Sequence, residues 1–356
     1  MNPPVNTTGT ARSGSVEGTE SDVMRSMLYG RLLTQALCTF CELGVPDLLA
    51  DRSRSLTAEE LARECGAHEA SLDRLLRALT AFEVVTESAD GRFTLTPLGA
   101  TLSSGSPKSL RSTTLLVGRT VGLAWDALEY TVRTGEPAYP RVHGQGFFEH
   151  LGAHPELRAV FDASQQHDVE RECAAIHTAL ADSLTGTVVD VGGGNGALLA
   201  HLLDAEPELA GVLLDLPSAV AAAERHLTAK GLADRASVVQ GDFFEPLPEG
   251  DLYLLREILH DWDDTSCRRI LSNCRRSMGP DSRLAVIELI YEQDSGDGHR
   301  LPALMDLYMM SLFSGAERRT EEFHTLLTAA GFTVEGAHPL GGGKGLLLCR
   351  PADPRS

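Results

Sequence analysis

The sequence predicts an α/β protein in which a nucleotide-binding domain with a parallel sheet follows a smaller, mainly helical domain. The nucleotide-binding domain is indicated by residues 187–196, where an apolar, β-branched run ends in the spacing D-x-G-x-G-x-G. A helical run at 197–203 follows directly, so the glycines lie at a strand-to-helix turn where a ligand can approach the backbone closely. Apolar segments at 211–215, 236–243 and 251–256 continue the alternation of strands and helices. The length of 356 residues fits about two domains.

Composition narrows the classes of function. Hydrophobic residues make up 42% of the chain, which is enough for a sizeable core. The formal net charge of −19 argues against a nucleic-acid partner or an anionic membrane surface. No apolar run approaches the ~18 residues of a membrane span, and the polar N-terminus lacks the apolar region of a signal peptide. The seven scattered cysteines indicate free thiols, so we expect a cytoplasmic protein without a structural metal.

The N-terminal end combines a polar tail with an unusually apolar helix. Residues 1–20 are rich in Gly, Ser, Thr and Pro and predict a disordered tail. Apolar residues then recur at helical spacing from Met24 to Leu49, and Gly44 and Pro46 break the pattern. Because this helix is apolar nearly all round, we expect a second subunit to cover one of its faces.

The segment 21–113 has the order of a winged-helix domain. A capping box at 57–60 opens one helix, a second helix is predicted at about 70–82, and an Asp-Gly turn joins two short strands at 84–96. Such a domain can bind DNA or serve for packing between subunits. The second helix mixes arginines with acidic residues and has no basic stripe, which favours packing. Residues 114–180 predict a helical linker that roofs a pocket.

Two acids downstream of the glycine-rich turn narrow the choice of ligand, which for the turn alone includes NAD, FAD and S-adenosylmethionine. Asp215 ends the second strand about 20 residues on, where a ribose diol would be held. Asp242 and Phe243 end the third segment. This pair suits adenine, because the acid can accept a hydrogen bond from the exocyclic amine and the aromatic ring can pack on the purine.

The chemistry is predicted at the next strand end. An apolar strand ends near Arg256 and His260 follows, at the carboxyl edge of the sheet where open α/β folds bind ligands. Arg256 could meet a carboxylate of the cofactor. Another strand ends in Glu288 at the same edge, and residues 305–313 predict a helix with soft apolar side chains.

These motifs together resemble one enzyme family. The stretches 190–196, 215–217, 241–243, 259–262 and 315–318 look like those of the S-adenosylmethionine-dependent O-methyltransferases of the plant caffeic-acid and bacterial polyketide type. The resemblance covers nearly the whole chain apart from its tails. It implies a Rossmann-like S-adenosylmethionine-binding domain with a mostly parallel seven-stranded sheet over 181–356. It also implies that the preceding winged-helix domain forms a homodimer.

The resemblance also implies roles for individual residues. His260 would be the catalytic base, with Glu288 and Glu317 orienting it. S-adenosylmethionine, which leaves as S-adenosylhomocysteine, would be bound by Asp190, Gly192, Gly194, Asp215, Leu216, Asp242, Phe243 and Arg256. The acceptor pocket would be lined by Phe161, Gln165, Met305, Met309 and Phe313. Plant members carry a polar residue near the position of Phe313 and tend to carry a methionine near Gln165. We therefore expect more apolar acceptor recognition here, and the part of the pocket near Gln165 departs from the family pattern.

The predicted activity is methylation of a phenolic or enolic hydroxyl of an aromatic or polyketide-like small molecule. Three alternatives stay open at this point. One is an enzyme of the same fold with hydroxylation, decarboxylation or pericyclic chemistry, and another is N- or C-methylation. The third is a winged-helix regulator that senses a ligand.

Overall fold

The structure is a computed structural model that describes residues 19–51, 55–290 and 300–353. Of the predicted tail, residues 1–18 lie outside the described residues, whereas Thr19 already caps the first helix. The backbone N–H and the hydroxyl of Thr19 donate to the Asp22 carboxylate at 3.2 and 2.8 Å. Within the described ranges, no helix is long and apolar enough to cross a membrane.

The N-terminal region packs short helices on a three-stranded sheet of order β1-β3-β2, with both pairs antiparallel. Thr57 and Glu60 form the predicted capping box, with backbone-to-side-chain bonds of 2.9 and 3.1 Å. The Asp90-Gly91 turn is present, and Gly91 has a φ of +72°. The elements are α1 (Glu20–Glu42), α2 (Val45–Leu48), β1 (Leu56–Thr57), α3 (Ala58–Cys65), α4 (Glu69–Thr80), β2 (Val85–Glu87) and β3 (Arg92–Leu95).

A run of helices leads from this region to the large sheet. The longest of them, α10, has 26 residues and ends where the sheet domain begins. The elements are α5 (Arg111–Gly118), α6 (Thr120–Trp125), α7 (Leu128–Thr134), α8 (Ala138–His143), α9 (Phe147–Ala153) and α10 (Pro155–Leu180).

The large sheet has seven strands in the order β6-β5-β4-β7-β8-β10-β9. The first five are parallel, and β10 runs antiparallel to both β8 and β9, so the expected mostly parallel α/β sheet is confirmed. The elements are β4 (Thr187–Val191), α11 (Ala197–Ala205), β5 (Ala210–Asp215), α12 (Pro217–Ala229), β6 (Ala236–Gln240), β7 (Gly250–Arg256), α13 (Asp264–Ser277), β8 (Met278–Leu289), α14 (Arg300–Leu312), α15 (Thr320–Ala329), β9 (Phe332–Gly341) and β10 (Lys344–Pro351).

The sheet is buried on both faces, which explains the near-continuous apolar runs of its central strands. Val188 packs with Ile176 of α10 on one face, and Val189 packs with Phe323 of α15 on the other. The strand order reverses between β4 and β7, and open parallel sheets bind ligands in the crevice that forms there. The predicted site residues follow the carboxyl ends of these strands.

Candidate active site

The glycine-rich turn after β4 needs residues without a Cβ. Gly192 has a φ of +71°, and a Cβ there would lie 2.5 Å from Cδ1 of Ile258. Gly194 has a φ of +59°, and a Cβ there would meet no atom within 4 Å. Both glycines adopt positive φ values that other residues rarely adopt, and Gly194 in addition borders open space.

Asp215 is held by two backbone N–H groups at the end of β5. Gly194 donates to its Oδ2 at 2.7 Å, and Leu216 donates to its Oδ1 at 2.6 Å. Burial raises the pKa of Asp215, against the opposing effects of the Gly194 hydrogen bond and the nearby Arg158 guanidinium. Each oxygen keeps a further acceptor position, which suits a ribose diol.

Asp190 lies inside the turn with unused hydrogen-bonding capacity. It is only 2% exposed, and its Oδ2 has no hydrogen-bond partner. Burial, with the nearby charge of Asp215, raises the pKa of Asp190 to about 7. A buried carboxylate of this kind is stabilised by a cationic donor such as an ammonium group.

Phe243 and Asp242 follow β6, the strand next to β5. The Phe243 ring would lie 3.6 Å from a Cβ at Gly192 and stands edge-on to Trp262, with ring centroids 5.8 Å apart. Asp242 is exposed, and its Oδ1 accepts from the N–H of Phe244 at 2.9 Å. The crevice therefore has an aromatic wall and a carboxylate at its rim.

Arg256, predicted near the cofactor, is mostly engaged by protein carboxylates. Its guanidinium lies 3.0 Å from Glu172 and 2.8 Å from Glu257. Its Nε is buried and has no partner. The charge of Arg256 is therefore balanced inside the protein, and Nε is the atom that remains for another group.

His260 lies between carboxylates on both sides of its ring. Its Nδ1 is 3.3 Å from Oε1 of Glu317 and 3.5 Å from Oε2 of Glu288, and its Nε2 is 3.5 Å from Oδ1 of Asp261. The imidazole is 12% exposed. Two acids from different elements therefore lie within ion-pair distance of Nδ1, and Asp261 lies at the same kind of distance from Nε2 on the other side of the ring.

Glu288 and the loop of Glu317 also hold the backbone around His260. Glu288 is fully buried, and its Oε1 accepts from the N–H groups of Ile258 and Leu259 at 3.1 and 2.7 Å. The N–H of Glu317 donates to Asp306 of α14 at 3.0 Å. The imidazole is thus positioned by strand β8, by α14 and by the loop between α14 and α15.

Gly315 allows that loop to approach the segment 260–262. A Cβ on Gly315 would lie 1.9 Å from the carbonyl oxygen of His260. Arg318 closes the contact, since its guanidinium donates to the carbonyl oxygens of Leu259 and Trp262 at 2.8 and 2.7 Å. The 315–318 motif is therefore explained by contact between two backbones as well as by Glu317.

The cluster shares protons near neutral pH. Burial lowers the pKa of His260, but Glu288, Asp261 and Glu317 outweigh it and hold that pKa well above its ordinary value. Burial raises the pKa of Glu288 and of Asp261 to about 7 each, although the His260 charge opposes both shifts. Carboxylates in excess over one imidazole cannot all be ionised at low cost.

Phe161 and Phe313 meet through two aromatic residues of α9. Phe147 lies 5.5 Å from each of them, and Phe148 stacks on Phe313 at 5.4 Å between ring centroids. The three phenylalanines Phe147, Phe161 and Phe313 belong to one mostly apolar cluster that joins α9, α10 and the C-terminal end of α14. Met309 of α14 is 6% exposed, and its carbonyl oxygen accepts from the N–H of Phe313, which directly follows the helix.

The other predicted acceptor residues are more peripheral to these rings. Gln165 lies about one turn beyond Phe161, and Met305 lies about two turns before Phe313, and both are half-buried. Asp261 and Tyr308 were not among the predicted site residues. Burial, reinforced by Asp261, raises the pKa of the Tyr308 hydroxyl. The sequence offered one signal for each of them: Asp261 lies within the 259–262 motif, and Tyr308 lies within the predicted 305–313 helix.

In the part of the chain that the structure describes, no group of three or more His, Cys, Asp or Glu residues could hold a metal ion. The site consists of an imidazole among carboxylates, on a loop whose Ile258 adjoins Gly192 of the glycine-rich turn.

Comparison with known proteins identifies two matching family models. The O-methyltransferase dimerisation domain matches residues 26–105. The O-methyltransferase domain matches residues 125–333 and so covers more than half of the chain.

Individual relatives match over nearly their whole length. The O-methyltransferase SfmM3 of Streptomyces lavendulae is 42% identical over 330 residues, which are 91% of this chain and 98% of the relative. The crystal structure of LaPhzM superposes with a TM-score of 0.88 at 36% identity and covers 94% of this chain and all of LaPhzM. NcsB1, an O-methyltransferase from neocarzinostatin biosynthesis, superposes with a TM-score of 0.78 at 38% identity, covering 90% of this chain and 96% of NcsB1. That structure contains S-adenosylmethionine and 2-hydroxy-5-methyl naphthoic acid.

Proposed function

The chain belongs to the S-adenosylmethionine-dependent O-methyltransferases with an N-terminal dimerisation domain, and we propose that it methylates an aromatic, polyketide-like natural product. The accepting group is a phenolic or enolic hydroxyl, and His260 is the general base. The observation that carries this proposal is the imidazole of His260, whose Nδ1 lies between Glu288 and Glu317. His260 follows Ile258, which adjoins Gly192 of the glycine-rich turn, by two residues.

The residues of the crevice fit S-adenosylmethionine. The unpartnered Oδ2 of Asp190 suits the ammonium group of the methionine part, and the unpartnered Nε of Arg256 suits its carboxylate. The open space at Gly194 admits the same part of the cofactor. Asp215 and Leu216 would hold the ribose, and Asp242 and Phe243 would frame the adenine.

The protein supplies a general base and aligns the reacting groups. When bound, S-adenosylmethionine supplies an electrophilic sulfonium methyl group. His260 takes the proton of the acceptor hydroxyl at Nε2 as the oxygen attacks, which contributes ~10²–10⁴-fold in rate. Glu288 and Glu317 fix the imidazole through Nδ1 and favour the imidazolium that forms.

The protonation state of His260 and its neighbouring acids has a consequence for turnover. The acids favour protonated His260, and a protonated imidazole cannot act as a base. A positive charge in the adjacent crevice lowers the pKa of His260 and therefore favours the neutral form. The site is thus arranged to become basic when the cofactor is bound.

The acceptor would lie against the aromatic cluster. Phe161 and Phe313 offer flat aromatic surfaces, and Met309, Gln165 and Met305 would complete the lining of the pocket. Offset stacking and edge-on contacts with such rings suit a flat aromatic acceptor.

A homodimer is supported by the first half of α1. This segment exposes six large apolar side chains to between 51% and 70%. They are Val23, Met24, Met27, Leu28, Tyr29 and Leu32. An apolar patch of this kind on a domain that matches a dimerisation family is best covered by a second copy of the chain.

The proposed domain boundaries separate dimerisation from cofactor binding and catalysis. We assign residues 21–113 to dimerisation, 114–180 to the helical linker and pocket roof, and 181–356 to cofactor binding and catalysis. The free cysteines suit a reducing cytoplasm.

The direct test combines product analysis with one variant. The protein is incubated with S-adenosylmethionine and a panel of hydroxylated naphthoates and phenazines, and products are analysed by mass spectrometry for one added methyl group. His260→Asn should lose ~10²–10⁴-fold in kcat, because the base is gone while a smaller polar side chain remains in its place. Product NMR then assigns the methyl group to oxygen, nitrogen or carbon.

The control is cofactor affinity. By calorimetry, His260→Asn should bind S-adenosylhomocysteine as the wild type does. A variant that turns over at the wild-type rate would remove His260 as the base. A product without an added methyl group would favour the alternative chemistries of this fold.

A further inference from the structure

Four buried charges form a closed ring next to the catalytic loop. Lys344 Nζ lies 2.7 Å from Oε1 of Glu172 and 2.5 Å from Oε1 of Glu257. Arg256 bridges the same two acids from the other side, at 3.0 and 2.8 Å. The signs alternate around the ring and its net charge is zero. The four side chains are only 7–15% exposed.

The ring joins three separate elements of the fold. Glu172 belongs to α10, Arg256 and Glu257 lie at the end of β7, and Lys344 begins β10. Helix α10 carries Phe161 about three turns before Glu172. One structural unit therefore links the roof of the acceptor pocket to the strand that leads to His260.

Glu257 adopts a backbone conformation that needs support. Its φ is +52°, one of only two positive values among the non-glycine residues that the structure describes. Its N–H donates to the carbonyl oxygen of Ile287 at 2.9 Å. The chain turns at this residue, and the next two N–H groups donate to Glu288. The strained turn is thus held by the ion-pair ring on one side and by Glu288 on the other.

We propose that Glu172, Glu257 and Lys344, with Arg256, act as positioning residues that fix the His260 loop against the pocket-roof helix α10. The proposal rests on the proposed methyl transfer for its catalytic meaning. The four charges of the ring cancel one another. A surplus charge so close to the imidazole of His260 would change its protonation. Removing one member leaves an uncompensated buried charge, whereas removing one acid and one base together does not.

The test compares Glu257→Gln, Lys344→Met and the double variant in full-length protein saturated with S-adenosylhomocysteine. The readout is the pKa of His260, measured by NMR on histidine-labelled protein and assigned with His260→Asn. Glu257→Gln removes a negative charge and should lower this pKa. Lys344→Met removes a positive charge and should raise it. The double variant should return close to the wild type.

Activity provides a second readout. Each single variant should lose kcat on the order of 10–100-fold, because a misplacement of about 1 Å in an aligned site costs that much. The double variant should recover most of the loss. The double variant should bind S-adenosylhomocysteine within about threefold of the wild type, since Asp190 and Asp215 are untouched and Arg256 keeps its pair with Glu172.

A matched control exists in the same sheet. Arg283 and Glu335 join β8 to β9 at 2.5 Å, and both are 30% exposed. Glu335→Gln should move neither the His260 pKa nor kcat. Shifts of the His260 pKa in the same direction for both single variants, or a double variant as impaired as the singles, would overturn the proposal. A wild type that methylates nothing would overturn the proposed function, while the NMR result would still decide the role of the ring.

Discussion

The cofactor crevice and the catalytic cluster lie at the same sheet edge but are built in different ways. The crevice is formed by strand ends that follow one another along the chain, and backbone N–H groups hold its key acid, Asp215. The catalytic cluster gathers His260, Glu288 and Glu317 from three elements. Its contacts are made by side chains, and Gly315 lets the two backbones meet.

This difference implies that cofactor binding and turnover can be impaired separately. The catalytic loop meets the crevice through apolar contacts of Ile258 and Trp262, and the hydrogen bonds that hold Asp215 do not pass through it. Changes in the loop should therefore alter turnover more than cofactor affinity. A cluster of converging side chains depends on the distance between the elements that carry them. Cofactor affinity and turnover should therefore respond to different substitutions.

The largest effect that would test this independence is expected from Gly315→Ala. The added Cβ would meet three backbone atoms of residues 260–262 within 2.5 Å, and backbone atoms cannot give way as a flexible side chain can. The loop of Glu317 must then withdraw from His260. We expect kcat to fall on the order of 10²-fold with cofactor affinity unchanged, measured by steady-state kinetics and calorimetry.

Gly105→Ala is the control for this substitution. Gly105 is exposed, and a Cβ there meets nothing within 4 Å. It should behave as the wild type. Loss of cofactor binding in Gly315→Ala would show that the two regions are coupled after all.

A smaller effect is expected from Asp190→Asn, which should change protein stability and cofactor affinity. The pKa of Asp190 is raised to about 7 in the folded protein, against about 3.9 in unfolded chains. Its contribution to stability is therefore complete below pH ~4 and is lost as the pH rises through about 7. The asparagine has no proton to lose, so without cofactor the variant should be more stable than the wild type at pH 8.

The measurement is urea unfolding at pH 6 and pH 8. We expect the advantage of Asp190→Asn to grow between these values by on the order of 1–2 kcal/mol, since one pKa unit corresponds to about 1.4 kcal/mol. Cofactor affinity should fall at the same time, because the proposed partner of the ammonium group is neutral. An advantage that does not depend on pH would contradict the raised pKa.

The same contrast explains what could be read from the sequence. The glycine turn and the acids at the strand ends are local patterns, so the alternation of strands and helices and the sheet edge that binds a ligand could be predicted. His260 and its two acids were predicted only through a family resemblance, because their proximity depends on tertiary packing. The charge ring was missed, since the sequence separation between Glu172 and Lys344 gives no sign that they meet. The positive φ of Glu257 is likewise invisible in a residue type that rarely adopts it.

The smallest effect is expected in the acceptor pocket, from Phe313→Leu. The ring of Phe313 contacts both Phe147 and Phe148, and such aromatic pairs contribute about 0.5–1.5 kcal/mol each. Leucine keeps an apolar surface but loses the flat face. We expect KM for the acceptor to rise about three- to tenfold with kcat nearly unchanged, because His260 and the crevice are not disturbed. Leu123→Ala, a substitution of an exposed apolar side chain on α6, serves as the control. A fall in kcat without a change in KM would move Phe313 from acceptor binding to the alignment of the reacting groups.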